Sequence, residues 1–469
     1  MRFSTGVLLA AAALPLVAAE LQPIRRQASS SAASSSTRTR TRTSGSSATG
    51  AASSSISGVA PGAITTPPPF TGTLPASISS IVATITAGTD AVTPTYPLPT
   101  TFSAGASPTA ISNAPALPST PAPSSYPELD KLPLSSFPGS AEILAAVDLS
   151  GVPSDIQPST DGSCGGSPTN LARAGSSGIC WWTCGGCTRD TDVTTCPDVN
   201  TWGLSYDDGP SPYTPKLLEY LEANNLKSTF FVVGSRAISR PDMLRYEHMT
   251  GHQISVHTWS HPALTTLSNE EIVLELGWTK KVIHDITGVT PNTMRPPYGD
   301  IDDRVRAICK AMNLTPIIWT STGPETNYDT NDWRIGAGQV TAAEVVSVFD
   351  GIIANASSLS TGYIVLAHDL YKQSVELATE VILPQALSAS PKQNIVPIIT
   401  CLNQPLGNAY VETNQNATNG QSSPTATLTG SNAVTTGNPA SGANGNRSGA
   451  AGSLELGTQH LVGAAAVPT

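Results

Sequence analysis

Between about Pro197 and Gln404, short apolar runs alternate with amphipathic stretches, with Gly, Pro, Asn and Asp at the boundaries. Seven runs have strand length: 200–206, 228–233, 253–257, 292–295, 315–320, 362–367 and 395–399. They are nearly continuous in apolar character, the pattern of parallel strands buried on both faces. Helical stretches lie between most of them. The clearest runs from Ser268 to Thr287, where Ser268 and Glu271 form a capping box and Gly288 is placed to end the helix. Such alternation predicts an α/β fold, a distorted (β/α) barrel of about seven strands. An open doubly wound sheet is the alternative, but no glycine-rich phosphate loop supports it.

The pattern breaks down outside this region. The first 19 residues have a basic start at Arg2, an apolar run and small residues at Val17–Ala19, as in a secretory signal peptide. Residues 20–125 are rich in Ser, Thr, Ala and Pro with almost no acidic residues, a composition expected to stay disordered. Residues 126–197 form a cysteine-containing extension, and 404–469 read as a disordered tail. Small residues near Ser441–Ala443, a polar spacer and a terminal "HLVGAAAVPT" make a candidate glycosylphosphatidylinositol signal, although its apolar run is short and interrupted. No other stretch is long and apolar enough to span a membrane.

The formal charge of −10 argues against a nucleic-acid partner, which needs clustered Lys and Arg. Sequons at Asn355, Asn416 and Asn446 suit an exported glycoprotein, secreted to the cell exterior or wall.

Polar residues gather at the ends of the expected strands, where a parallel barrel carries its active site. Asp207 and Asp208 end the first run in "LSYDDGPS", His257 and His261 sit in "HTWSHP", Arg295 opens "RPPYGD", and His368 closes "IVLAHD". One helical turn would place the two imidazoles, four residues apart, on one side. Two histidines and a carboxylate make a usual ligand set for a catalytic divalent ion, and Asp208 can supply the carboxylate. Successive residues of an extended chain point in opposite directions, so Asp207 is available as a proton acceptor. An arginine beside it would keep it ionised, a backbone N–H in the Pro-Tyr-Gly turn could hold a developing oxyanion, and His368 is placed to protonate a leaving group. Together these parts describe metal-assisted hydrolysis of an acyl bond.

In order, spacing and content, "SYDDGP", "HTWSHP", "RPPYGD", "NDW" and "IVLAHD" resemble the five motifs of the polysaccharide deacetylases, the NodB-type or carbohydrate esterase family 4 enzymes. The resemblance covers roughly residues 198–403, and the exported, Ser/Thr-rich context is similar to that of fungal chitin deacetylases. It implies that Asp207 is the general base and that Asp208, His257 and His261 hold a divalent ion, zinc or cobalt. Arg295 would interact with the base, and the backbone N–H of Tyr298 would join the oxyanion hole. Asp332 would tune His368, the general acid, while Trp333 and Leu366 would line an acetate pocket. The expected activity is de-N-acetylation of N-acetylglucosamine units in chitin by a monomer. Acetylxylan or peptidoglycan is the alternative substrate, and an inactive wall-binding barrel the alternative of another class.

Seven cysteines leave at least one without an intrachain partner. Cys196 and Cys401 flank the barrel and make the most attractive bridging pair, leaving Cys309 over. Cys184-x-x-Cys187 suggests zinc in isolation, but export and the lack of a second C-x-x-C favour disulfides among Cys164, Cys180, Cys184 and Cys187. Trp181-Trp182 is open to two readings, a sugar-stacking platform or burial against the barrel, with burial favoured.

Overall fold

A computed structural model of the chain describes residues 74–88, 96–321 and 327–416. Seven strands form one parallel sheet: β1 (Thr201–Asp207), β2 (Thr229–Val232), β3 (Gln253–Val256), β4 (Thr293–Met294), β5 (Thr315–Pro316), β6 (Tyr363–Ile364) and β7 (Asn394–Pro397). Their order is β5-β4-β3-β2-β1-β6, with β7 also paired to β1. All seven expected runs are strands, and every residue of β1, β2 and β3 is buried. β7 takes Thr201–Leu204 of β1, while β2 takes Ser205–Asp207 further along. The helix Asn269–Thr287 has both arms of the Ser268–Glu271 capping box and stops at Gly288 with φ 83°. It buries Ile272, Val273, Leu276, Ile283 and Ile286.

Three strands, β4, β5 and β6, keep only two residues each of their apolar runs. Pro316 has no N–H to continue a ladder, and beyond it the chain makes single bonds to different partners. Ile317 N–H donates to Met294 O (2.8 Å), Ile318 N–H to Val193 O (2.8 Å) and Thr320 N–H to Ile364 O (3.0 Å). After β6, Leu366 pairs with the 327–330 segment through Leu366 N–H to Tyr328 O (2.9 Å) and Thr330 N–H to Leu366 O (3.2 Å). The distortion of the barrel is concentrated at this β5–β6 seam.

The expected limits of disorder need correction. Residues 96–125 pack on the barrel through isolated apolar anchors, with Ile111 and Leu117 each 2% exposed and Phe102 6.0 Å from the Tyr246 ring. Arg245 donates to Pro118 O, and Gln373 Nε2 donates to Thr86 O (3.1 Å). Residues 404–416 likewise join the body: Asn292 N–H donates to Ala409 O (3.1 Å), and Tyr410 is buried. Single anchors spaced along a Ser/Thr/Pro background are diluted in any average over the segment. The expected leader, the candidate anchor signal and Asn446 lie outside the described residues. Asn416 is exposed, whereas Asn355 is half-buried at the end of the helix Ala342–Ala356, accepting from Ser358 Oγ (3.0 Å). Among the described residues no helix is long and apolar enough to cross a membrane.

Cys196 and Cys401 are bridged, as are Cys164–Cys184 and Cys180–Cys187, so the C-x-x-C is not a metal site. Burial pushes the thiol of the remaining Cys309 up to about 12 and leaves it chemically quiet. The Cys196–Cys401 bridge closes 205 residues against Gly203 of β1, where an added Cβ would lie 3.0 Å from Cys196 Sγ. Replacing both cysteines by Ala is expected to cost about 2–5 kcal/mol, read as a lowered Tm or denaturation midpoint. An unchanged midpoint would refute that expectation.

Candidate active site

β1 delivers Asp207 to the strand end beside the chain that follows β6: Asp207 N–H donates to Ala367 O (3.0 Å) and Asp369 N–H to Asp207 O (3.2 Å). Asp208 then adopts φ +79°, and at Gly209 a Cβ would fall 2.3 Å from Asp369 Oδ2, so only glycine fits. The left-handed step overturns the simple alternation expected of an extended pair. Both carboxylates face His257: Asp208 Oδ1 lies 3.4 Å and Asp207 Oδ2 3.9 Å from its Nε2. Arg236 Nη1 donates to Asp208 O (2.7 Å) and fixes the turn from outside.

The two histidines come together without a helical turn. Thr258 (φ 66°) and His261 (φ 63°) fold the segment into a loop that leaves the imidazole centroids 4.9 Å apart. Glu275, from the helix Asn269–Thr287, supports that loop by accepting from Trp259 N–H (2.7 Å), Ser260 N–H (2.9 Å) and Ser260 Oγ (2.6 Å). Burial pushes the Glu275 carboxyl up to about 7 against those hydrogen bonds. Thr258 Oγ1 accepts from His261 N–H (3.0 Å).

His257 Nδ1 sits 2.8 Å from Arg295 O, a pure acceptor, so the proton is on Nδ1 and Nε2 offers its lone pair. His261 Nε2 lies 3.0 Å from Asp208 Oδ1, and its Nδ1 is 3.2 Å from the Tyr298 hydroxyl. Burial lowers His261, with Asp208 opposing. At Asp208 burial is outweighed by the imidazoles, which hold the carboxyl well below its usual range. Asp208 Oδ1 is buried and receives no hydrogen bond, and the ligand atoms of Asp208, His257 and His261 all lie within 4.8 Å of one another. A buried carboxylate oxygen facing two imidazole nitrogens at this spacing is a donor set that a divalent cation would complete, so the residues fit a metal.

Asp207 is held from the other side. Fully buried Arg295 donates from Nη1 to Asp207 Oδ1 (2.7 Å) and Ser205 Oγ (3.0 Å), with its guanidinium 4.1 Å from the Phe231 ring centroid. His368, paired in backbone register with Asp207, is clamped twice by Asp332: Nδ1 at 2.7 Å from Oδ1, and N–H donating to Oδ2 at 2.9 Å. Burial opposes charge on His368, but Asp332, aided by Asp208 and Asp207, raises it to about 10. Trp333 N–H also donates to Asp332 Oδ1 (2.9 Å), and Thr330 Oγ1 ties Asp332 to Leu366 O (2.9 Å). Asp332, His368, Trp333 and Leu366 are thereby one assembly at the β5–β6 seam.

Tyr298, 49% exposed with φ 61°, forms the turn of "RPPYGD", its ring edge-on to His261 at 4.7 Å between centroids. The expected contribution of this residue was its backbone N–H; the phenol contact with His261 was not foreseen. Two further acids were also missed. Asp369 is fully buried, accepts from Thr214 Oγ1, and is pushed by burial to about 7. Asp300, 1% exposed and raised by burial, accepts from Trp181 Nε1 (3.0 Å), Thr183 Oγ1 (2.7 Å), Thr265 N–H (2.9 Å) and Thr265 Oγ1 (2.7 Å). An Asp closing the "RPPYGD" motif was the available signal.

Residues 194–317 match the sequence model of the polysaccharide deacetylase family. The chain is 56% identical over 332 residues to chitin deacetylase 1 of Cryptococcus neoformans var. grubii, covering 70% of this chain and 69% of that protein. It is 39% identical over 232 residues to a chitin deacetylase of Amylomyces rouxii, covering 48% of this chain and 52% of the other, so it spans about half of that relative. Among solved structures it is similar to the chitin deacetylase of the fungal pathogen Colletotrichum lindemuthianum, with 29% identity and a TM-score of 0.42, covering 48% of this chain and 97% of that one.

Proposed function

We propose that this chain, which belongs to the polysaccharide deacetylase family, hydrolyses N-acetyl groups of N-acetylglucosamine units in chitin, releasing acetate and leaving glucosamine units. The observation that carries this reading is one cluster in which a buried Arg-held carboxylate, a His/His/Asp ligand set and an Asp-clamped imidazole meet. Relatives with chitin deacetylase names match well beyond the motifs, over 70% of the chain in one case.

Asp208, His257 and His261 would hold the divalent ion, zinc or cobalt, which when bound supplies Lewis-acid polarisation of the scissile carbonyl and of a water. Arg295 occupies Asp207 Oδ1 and leaves Oδ2 to accept the proton that the attacking water gives up. Water oxygen bonds to the acetyl carbon, and the backbone N–H of Tyr298 stabilises the oxyanion that develops. With Nδ1 committed to Asp332, His368 delivers its Nε2 proton to the departing nitrogen as the C–N bond breaks. The amine leaves with that proton, and acetate remains.

Three disulfides fit an oxidising compartment, and action at the cell exterior or wall follows from such a substrate. The test is acetate release from N-acetylglucosamine oligomers by purified protein, compared with acetylxylan and peptidoglycan fragments. Activity should be highest on the chitin oligomers, vanish on chelation, and return with zinc or cobalt. No release from chitin oligomers by metal-loaded protein would sink the proposal, and faster release from acetylxylan would move the substrate.

A further inference from the structure

The cysteine-rich extension contributes something the family motifs do not include, because it precedes the matched residues 194–317. It has a small core of its own, Ile156, Cys164, Ile179, Trp181 and Cys184, stapled by Cys164–Cys184 and Cys180–Cys187. It is tied to the barrel at several points. Trp181 and Thr183 donate to Asp300, Trp182 N–H donates to Ile301 O (2.9 Å), and Cys180 N–H donates to Asp303 Oδ2 (2.9 Å).

The adjacent tryptophans therefore have different fates. Trp181 is 1% exposed, and its indole N–H is donated to Asp300; this one is buried as the sequence favoured. Trp182 is half-buried, packed against the barrel core. Its Cζ3 and Cε3 lie only 2.4 and 2.6 Å from where a Cβ of Gly299 would stand, so the close approach requires the glycine. Trp319 packs edge-on behind it at 4.7 Å between centroids and is itself buried. Gly299 directly follows Tyr298, which is half-exposed and touches the ligand His261. A half-buried tryptophan thus stands beside the turn that borders the candidate site, held by two disulfides and a four-donor carboxylate.

Building on the proposed activity, we infer that Trp182 is a substrate-binding residue, forming with Tyr298 a stacking face for a pyranose ring that flanks the unit being deacetylated. The C–H face of a pyranose is apolar while its rim carries hydroxyls, and a fixed amphipathic aromatic ring suits such a ligand. Because the loop is already ordered, little conformational freedom is lost when the sugar lands. The extension thereby makes activity depend on chain length.

Steady-state kinetics on N-acetylglucosamine dimers and longer oligomers test this with wild type, Trp182→Ala, Trp182→Leu and Trp182→Tyr. Leu keeps apolar bulk against Gly299 and Trp319 but has no flat face, which guards against simple misfolding. In Ala and Leu, KM for long oligomers should rise roughly 3- to 10-fold with kcat largely kept, the difference should shrink on the dimer, and Tyr should restore it. An unchanged KM on long oligomers, or an equal fall in kcat at every length, overturns the inference while leaving the proposed function standing. Wild type that releases no acetate overturns both.

Discussion

Asp207→Asn is expected to lower kcat for acetate release by about 10² to 10⁴-fold, the usual range for losing a positioned general base. The amide has nearly the same shape and can still accept from Arg295 at the site of the present 2.7 Å bond, but it cannot take a proton from water. The loss should fall on kcat more than on KM, since the group acts as the attacking oxygen forms its bond. One complication is physical. Arg295 is 0% exposed, and without an opposing charge it becomes a buried cation lacking its partner, which costs stability. Tm and divalent-ion binding therefore have to be measured alongside the rate. A variant that still folds, still binds the ion through Asp208, His257 and His261, and retains activity within tenfold of wild type would remove Asp207 from the mechanism.

Legibility in the sequence followed how local each signal is. The seven strands declared themselves as apolar runs, and β1–β3 are buried on both faces as those runs require. The candidate residues Asp207, Asp208, His257, Arg295 and His368 were visible because each stands in a short segment at or just after a strand end. Three features were less accessible. The loop between His257 and His261 relies on positive φ at Thr258 and His261, conformations that neither residue type announces and that a β-branched Thr adopts rarely. The short β4, β5 and β6 reflect a proline and the 327–330 segment pairing with Leu366, contacts between positions far apart in the chain. The ordered 96–125 stretch depends on single anchors such as Phe102, Ile111 and Leu117 that composition averages away. Glu275 was readable in retrospect, as an acid among the buried positions Val273, Leu274 and Leu276 of a helix. A carboxylate on a buried helical face implies partners, and here they are the backbone N–H groups of Trp259 and Ser260, in the loop between His257 and His261.

The Asp332–His368 pair leads to the second large effect, which shows as a change in rate and in its pH dependence. His368→Ala removes the only proton donor proposed for the departing nitrogen, and kcat should fall by about 10² to 10⁴-fold. Asp332→Asn is the more discriminating change because it keeps the imidazole and alters its proton affinity. In the wild type Asp332 overcomes the burial that disfavours charge and, with smaller help from Asp208 and Asp207, raises His368 to about 10. The imidazolium is therefore present below that value and loses its proton as pH rises through it, which sets the alkaline limb of kcat/KM. A bound divalent ion offsets part of the Asp208 and Asp207 contributions, so the limb of the loaded enzyme lies below about 10. In Asp332→Asn the burial remains while the main opposing charge is gone, and the limb must move to lower pH. Activity lost by the variant at alkaline pH should be partly regained on acidification. A pH profile of kcat/KM on chitin oligomers reads this directly. If the alkaline limbs of wild type and Asp332→Asn coincide, His368 does not act through the Asp332 clamp.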